Sequence, residues 1–221
     1  MEINGKTGRE DQRGHPQSRD PKRNRQLLLE ATLDSIAEDG IAETTVSAII
    51  KRASLSRGMI HLHFGGKDSL LVAAAEVFSH TYYSEMDRQI GFVSDDPADV
   101  IMAVVRADLS PAILSERSAA IWHEFRGEAR NNKAISRLSD TRDQRLRDTV
   151  FEAFNVLIKR EGLEHDASIA NEVTLGTLAL MEGMWTDYMS HPNEFDRETA
   201  MRIVRRFLNG VFPGAFLDSG V

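Results

Sequence analysis

Residues 45–70 read TVSAIIKRASLSRGMIHLHFGGKDSL, and this stretch decides the fold. It spells two short helices joined by a tight turn, then the start of a third. A hydroxyl at Thr44 or Thr45 can accept a hydrogen bond from the free amides of a first helical turn. Val46, Ile49, Ile50 and Ala53 then fall on one face at helical spacing. Ser54-Leu55-Ser56 breaks the pattern. Ser56 is a second cap signal, and the helix it opens runs from Arg57 to about His63, with Met59, Ile60 and Leu62 among polar residues. Gly65 and Gly66 stop it, because glycine takes the left-handed conformation that ends helices. Lys67 starts the next helix. Helix, tight turn, helix is the helix-turn-helix arrangement. Its second helix enters the DNA major groove and sets its first turn against the bases. Here that turn offers Ser56, Arg57 and Gly58. Arg57 can form a bidentate pair with a guanine edge, and Gly58 lets the backbone come close. His61 and His63 follow on the same helix.

These residues resemble the DNA-binding signature of the TetR family of repressors. That signature runs Thr-x-x-x-Ile-Ala-x-x-Ala-Gly-Val-Ser-x-Gly-x-x-Tyr-x-His-Phe-x-x-Lys-x-x-Leu. The chain matches at Thr45, Ile49, Ala53, Ser56, Gly58, His63, Phe64, Lys67 and Leu70. It departs at Ile50, Ser54, Leu55 and His61, where the family carries Ala, Gly, Val and Tyr. The family's tyrosine usually contacts a phosphate, and the choline-responsive BetI-like branch also tends to lack it. The resemblance implies an all-α protein of about nine helices: a three-helix DNA-binding head followed by a helical ligand-binding and dimerisation body. It also implies a homodimer on a palindromic operator.

Composition fits a regulator. The 221 residues carry a net charge of -7, unevenly spread. Residues 1–67 hold 11 Lys or Arg against 9 Asp or Glu, and the remainder holds 16 against 25, so a head of +2 sits on a body of -9. Only the docking face of a site-directed DNA binder must meet phosphates. The absence of cysteine excludes disulfides and thiolate-bound metal, and fits a reducing cytosol. The sequence holds neither an apolar run long enough for a membrane span nor an apolar signal core. A cytoplasmic location is expected.

In chain order, residues 1–21 read as a disordered basic arm, polar and rich in glycine. Arg19, Lys22, Arg23 and Arg25 lie where an arm can reach a minor groove or phosphates. Residues 22–67 form the head, with a first helix from about Lys22 to Asp39 ended by Gly40. The candidate DNA-binding set is Arg25, Thr44, Thr45, Ser56, Arg57, Gly58, His61, His63 and Lys67. Residues 68–215 form the body. Its helices are expected at about 67–90, after Pro97, around Trp122, at 134–160, at 167–190 and at 197–211.

The helix at 167–190 is apolar nearly all round, and such a helix must be covered on every face. A four-helix dimer interface is therefore expected from Leu175, Leu178, Ala179, Gly183, Val204, Phe207 and Leu208, with small residues, Gly176 included, allowing close approach. Met102, Trp122, Phe125, Met181, Met184, Trp185 and Tyr188 are the candidate pocket lining; the other reading of these side chains is plain core. Aromatic faces attract cations. The similarity of the body to BetI-type regulatory domains implies choline or a related cation as inducer. Such domains tend to carry a second tryptophan near Arg126; an arginine there repels a cation, and Glu124 or Glu182 offset it.

The sequence shows neither a glycine-rich phosphate loop nor a nucleophile elbow. His61 and His63 point about 200° apart on a helix, which rules out a shared metal. The chain reads as a ligand-responsive repressor without enzymatic activity, cofactor or metal. The alternatives are a ligand-independent DNA-binding or interaction protein of the same fold, or an enzyme.

Overall fold

A computed structural model describes residues 20–91, 94–163 and 166–217, leaving aside the side chains of 139–143. The expected arm at 1–21, Arg19 included, lies outside the described residues except for Asp20 and Pro21. Nine helical elements are present among the described residues: α1 (Pro21–Glu43), α2 (Val46–Ala53), α3 (Arg57–Phe64), α4 (Lys67–Ile90), α5 (Pro97–Asp108), α6 (Glu116–Glu128), α7 (Lys133–Glu161), α8 (Ile169–Ser190) and α9 (Arg197–Val211).

The boundaries follow local chemistry. Asp20 caps α1 by accepting from the amides of Lys22 and Arg23 at 3.0 and 3.3 Å, with Pro21 as first helical residue. Gly40, at φ 80°, breaks α1 before its last turn. Thr45 caps α2 through the Ala48 amide at 3.1 Å. Ser54 ends α2 at φ 54°, the one positive φ outside glycine among the described residues. The TetR signature has glycine there, and a serine in this conformation costs about 1 kcal/mol. Gly65 ends α3 at φ 78°. Ser56 stands at the N-cap of α3 without a side-chain capping bond.

Two hydrophobic cores result. The head core gathers Leu28 and Ile36 of α1, Ile49 of α2, Ile60 of α3 and Leu70 of α4. Ile121 and Phe125 of α6 and Ile135 of α7 join it. The body core is built on Ile101, Val104, Phe154, Leu157, Val204 and Leu208, with Phe154 stacked on Phe212 at 5.8 Å. Helix α6 therefore straddles both: Ile121 and Phe125 belong to the head, Ala119 and Trp122 to the body. Its start is fixed by a reciprocal cap, Ser118 N–H to Ser115 Oγ at 3.2 Å and Ser115 N–H to Ser118 Oγ at 2.8 Å.

Helix α8 departs from the expectation of an evenly apolar cylinder. Its inward face holds Val173, Met181 and Trp185 together with two buried threonines. Thr174 and Thr177 return their hydroxyls to the carbonyls of Ala170 and Val173, both at 2.7 Å, and so satisfy themselves within the helix. The outward face carries Leu175, 58% exposed, with Ala179 and Gly183. Gly176 serves its own chain: a Cβ there would stand 2.6 Å from the Phe207 ring, so the absent side chain is what lets α8 and α9 close.

Candidate DNA-reading face and ligand cavity

The surface of α3 sorts the expected DNA contacts. Ser56, Arg57, Gly58 and His61 are all exposed, and Thr45 is exposed at the start of α2. Lys67 is half-buried as the first residue of α4. Arg25 is exposed on α1 and lays its guanidinium over the Phe64 ring at 5.0 Å, beside the end of α3. Two expected contacts require correction or restriction. Thr44 is fully buried and donates to the Gly40 carbonyl at 2.8 Å, so its hydroxyl braces the α1–α2 joint and is out of reach of a phosphate. His63 is half-buried with Nε2 enclosed, so that nitrogen is out of reach of a phosphate.

The body contains an open cavity of about 550 Å³ between α4, α5, α6, α7 and α8. Three buried rings border it: Tyr82, Trp122 and Trp185. Trp122 and Trp185 stand 5.5 Å apart at 47°, and Tyr82 meets Trp185 at 6.5 Å and 61°. Between them lies Asp108, 2% exposed. Its carboxylate accepts from the Tyr82 hydroxyl at 2.7 Å and from the Trp185 indole N–H at 2.9 Å. The rim is polar on the α7 side, with Gln144, Arg147 and Asp148, and apolar on the α8 side, with Leu175, Leu178 and Ala179. Arg126 sits over Trp122 at 5.1 Å and is held by Glu182 at 2.5 Å, so its charge is met by a carboxylate at the cavity wall. Next to Trp122, burial pushes the His123 imidazole below its usual pKa, and the neighbouring Arg126 charge adds to the shift.

The two halves are joined at α6. Glu124 accepts the Ile41 amide at 2.7 Å, one residue past the break at Gly40. Its carboxyl group lies 3.4–3.5 Å from where a Gly40 Cβ would be. Arg117 adds an exposed clamp to Asp34 and Glu30 of α1.

Residues 28–81 match the family model described as bacterial regulatory proteins, tetR family, and residues 97–213 match the model described as BetI-type transcriptional repressor, C-terminal. The chain belongs to the TetR family. The HTH-type transcriptional regulator BetI of Stenotrophomonas maltophilia (strain R551-3) is 29% identical over 185 residues, covering 84% of this chain and 91% of the relative. A putative transcriptional regulator from Pseudomonas aeruginosa PAO1 shares the fold with a TM-score of 0.79 at 23% identity, over 89% of this chain and 94% of the other. A putative transcriptional regulator from Saccharomonospora viridis, solved in complex with choline, has a TM-score of 0.72 at 18% identity, over 85% and 96%. This TetR-family chain is thus a DNA-binding transcriptional repressor with a BetI-type C-terminal domain, and not an enzyme. Among its described residues no helix is long and apolar enough to cross a membrane.

Of the expected pocket lining in this TetR-family body, the structure brings Trp122, Met181 and Trp185 to the cavity. The other four stand elsewhere. Met102 is closed into the body core, because it lies on the inward face of α5. Phe125 belongs to the head core and borders only a gap of about 30 Å³. Met184 packs on the body core, and Tyr188 packs edge-on against Phe195 at 5.3 Å under the Arg197 guanidinium. Asp108 and Tyr82 were missed. The one signal in the sequence is an acid, Asp108, in a run from Val100 to Leu109 that is apolar apart from it and Arg106. Of the expected dimer residues, Leu175, Ala179 and Gly183 face outward, while Leu178 and Phe207 are half-buried. Val204 and Leu208 are fully buried in their own chain's core and have no surface to give a partner.

Proposed function

We propose that two copies of this chain associate through the outward faces of α8 and α9, hold a palindromic operator, and release it when a compact organic cation enters the body cavity. The observation that carries this reading is the buried Asp108 carboxylate framed by Tyr82, Trp122 and Trp185. A carboxylate with ring faces around it favours a cation by charge and by the ring quadrupoles together. The choline bound to the Saccharomonospora viridis protein supports the same class. Arg126 is compatible with it, because Glu182 meets its charge. A cavity of this size also favours a ligand-responsive protein over a ligand-independent one.

Two recognition helices related by a two-fold axis would enter successive major grooves, about 34–36 Å apart. Arg57 reads a base, and Thr45, His61 and Lys67 hold phosphates. Arg57→Ala is expected to cost roughly 1–3 kcal/mol at one operator position and to relax its specificity, measured by binding to operators varied base by base. An unchanged base preference would remove Arg57 from base readout.

Helix α6 transmits the signal. A ligand pressing on Trp122 displaces α6, and Glu124 passes the displacement through the Ile41 amide to the joint between α1 and α2. Operator and ligand then weaken each other by the same factor, typically about 1–3 kcal/mol of coupling. Glu124→Ala is expected to keep operator binding in the absence of ligand and to lose about tenfold of that coupling. Glu124→Gln retains an acceptor oxygen and should release normally. Equal release by Glu124→Ala and the parent chain would move the path elsewhere.

The test of the whole reading is a gel-shift on DNA upstream of its own gene, in rising salt, with and without choline. A discrete complex lost steeply with salt and dissolved by millimolar choline, roughly the scale of a weak regulatory ligand, supports it. Diffuse binding indifferent to choline would overturn it. Binding to an operator supports a cytoplasmic location.

A further inference from the structure

The recognition helix carries two features that the interior of the protein does not require. Gly58 lies in the first turn of α3 on the exposed face, and a Cβ there would meet nothing within 4 Å. A helical glycine costs roughly 0.5–1 kcal/mol relative to alanine, so the bare position is disfavoured by the fold and unforced by packing. Leu62, four residues on, is 73% exposed, more than any other large hydrophobic among the described residues. The core-facing side of α3 is Ile60, at 3%.

Residues four apart share a helix face, and a helical side chain leans toward the N-terminus over the preceding turn. Leu62 therefore stands one turn on from the bare backbone of Gly58 on the same side of the helix, and the space beside Gly58 stays open, because no side-chain atom lies within 4 Å of where its Cβ would be. Together they make an apolar notch, with Arg57 and His61 as polar neighbours. The major-groove edges of the bases present hydrogen-bonding atoms at every pair and one apolar group, the 5-methyl of thymine. We infer that the Gly58–Leu62 notch seats a thymine methyl, which makes Leu62 a specificity-determining residue for the operator. The inference rests on the operator-binding reading above, and commits it to a thymine at a fixed position in each half-site, beside the pair that Arg57 reads.

The experiment is selection of bound sequences from randomised duplexes by the full chain, followed by replacement of the selected thymine with deoxyuridine, which removes only the methyl. The parent chain should bind the deoxyuridine operator about three- to fivefold more weakly, the fold-change one buried methyl supplies. Leu62→Ala should bind both operators alike, while keeping the preference at the Arg57 position. Gly58→Ala, which fills the notch, should lose the thymine preference as well. Leu62 is exposed, so its replacement leaves the core intact. A selected motif without a fixed thymine overturns the inference and leaves operator binding standing. So does equal affinity of the parent chain for thymine and deoxyuridine, or a difference that survives in Leu62→Ala. Selection that yields no motif overturns the operator reading, and the notch with it.

Discussion

Ile203→Glu is expected to turn the protein into a monomer by sedimentation and to lower its operator affinity by roughly a hundredfold or more. The size of the effect follows from linkage of two half-sites. When both heads belong to one particle, the second engages at an effective concentration in the millimolar range, and separating them forfeits that gain, commonly about 10²–10⁴ in affinity. Ile203 is 41% exposed on α9 and is absent from the cavity lining, so a carboxylate there charges the proposed interface alone. Leu178 is the poorer target, since it is half-buried and borders the cavity, and a charge there would strike dimer and ligand site together. Leu175 and Ala179 lie both on the outward face and on the cavity rim, so a partner seated on that face would also border the mouth through which ligand enters. A dimer that survives Ile203→Glu with full operator affinity would place the interface on another face.

Asp108→Asn is expected to weaken cation binding by about tenfold to a hundredfold, through loss of one charge–charge attraction in a site shielded from water. The substitution is nearly isosteric. Its amide oxygen can still accept from the Trp185 N–H and its amide nitrogen can donate to the Tyr82 oxygen, so each partner keeps a hydrogen bond to residue 108, while the Tyr82 hydroxyl proton loses this acceptor and a modest fall in thermal stability is expected. Asp108→Ala is the less clean variant: it removes a buried acceptor from the Tyr82 hydroxyl and from the Trp185 N–H, at about 1–3 kcal/mol each, and mixes stability with binding. Calorimetry with choline on the parent chain and on Asp108→Asn decides the matter, with operator release as a second readout. Release by choline at unchanged concentration in Asp108→Asn would take the carboxylate out of the ligand site.

Local chemistry was enough to place the head. Thr45 as a cap, the serine-flanked turn after Ala53, the glycine stop at Gly65 and the spacing of Ile49, Ala53 and Ile60 all act within a few residues of one another, and each is where its residue type predicts. The ends of α4, α8 and α9 fall within a few residues of expectation for the same reason: proline, glycine and apolar spacing are short-range signals. Thr44 and Thr45 show the limit. Both are threonines at a helix start, and only the return of the chain at Gly40 buries one and leaves the other exposed.

The body divides in the same way. Its helices, its acidic balance and its wealth of aromatics were determined by the sequence. Which aromatics meet, and around what, was decided by tertiary packing. Tyr82, Asp108, Trp122 and Trp185 come from four different helices, so no period or motif joins them. Phe125, three residues from Trp122, went to the other core because α6 lies between the two and offers a different face to each. Val204 and Leu208 look identical in pattern to interface residues, since a buried stripe reads the same whether its cover comes from its own chain or from another. Sequence determined which surfaces had to be apolar; only the assembled helices decided what covers them, because burial is a property of neighbours that the chain brings together from far apart.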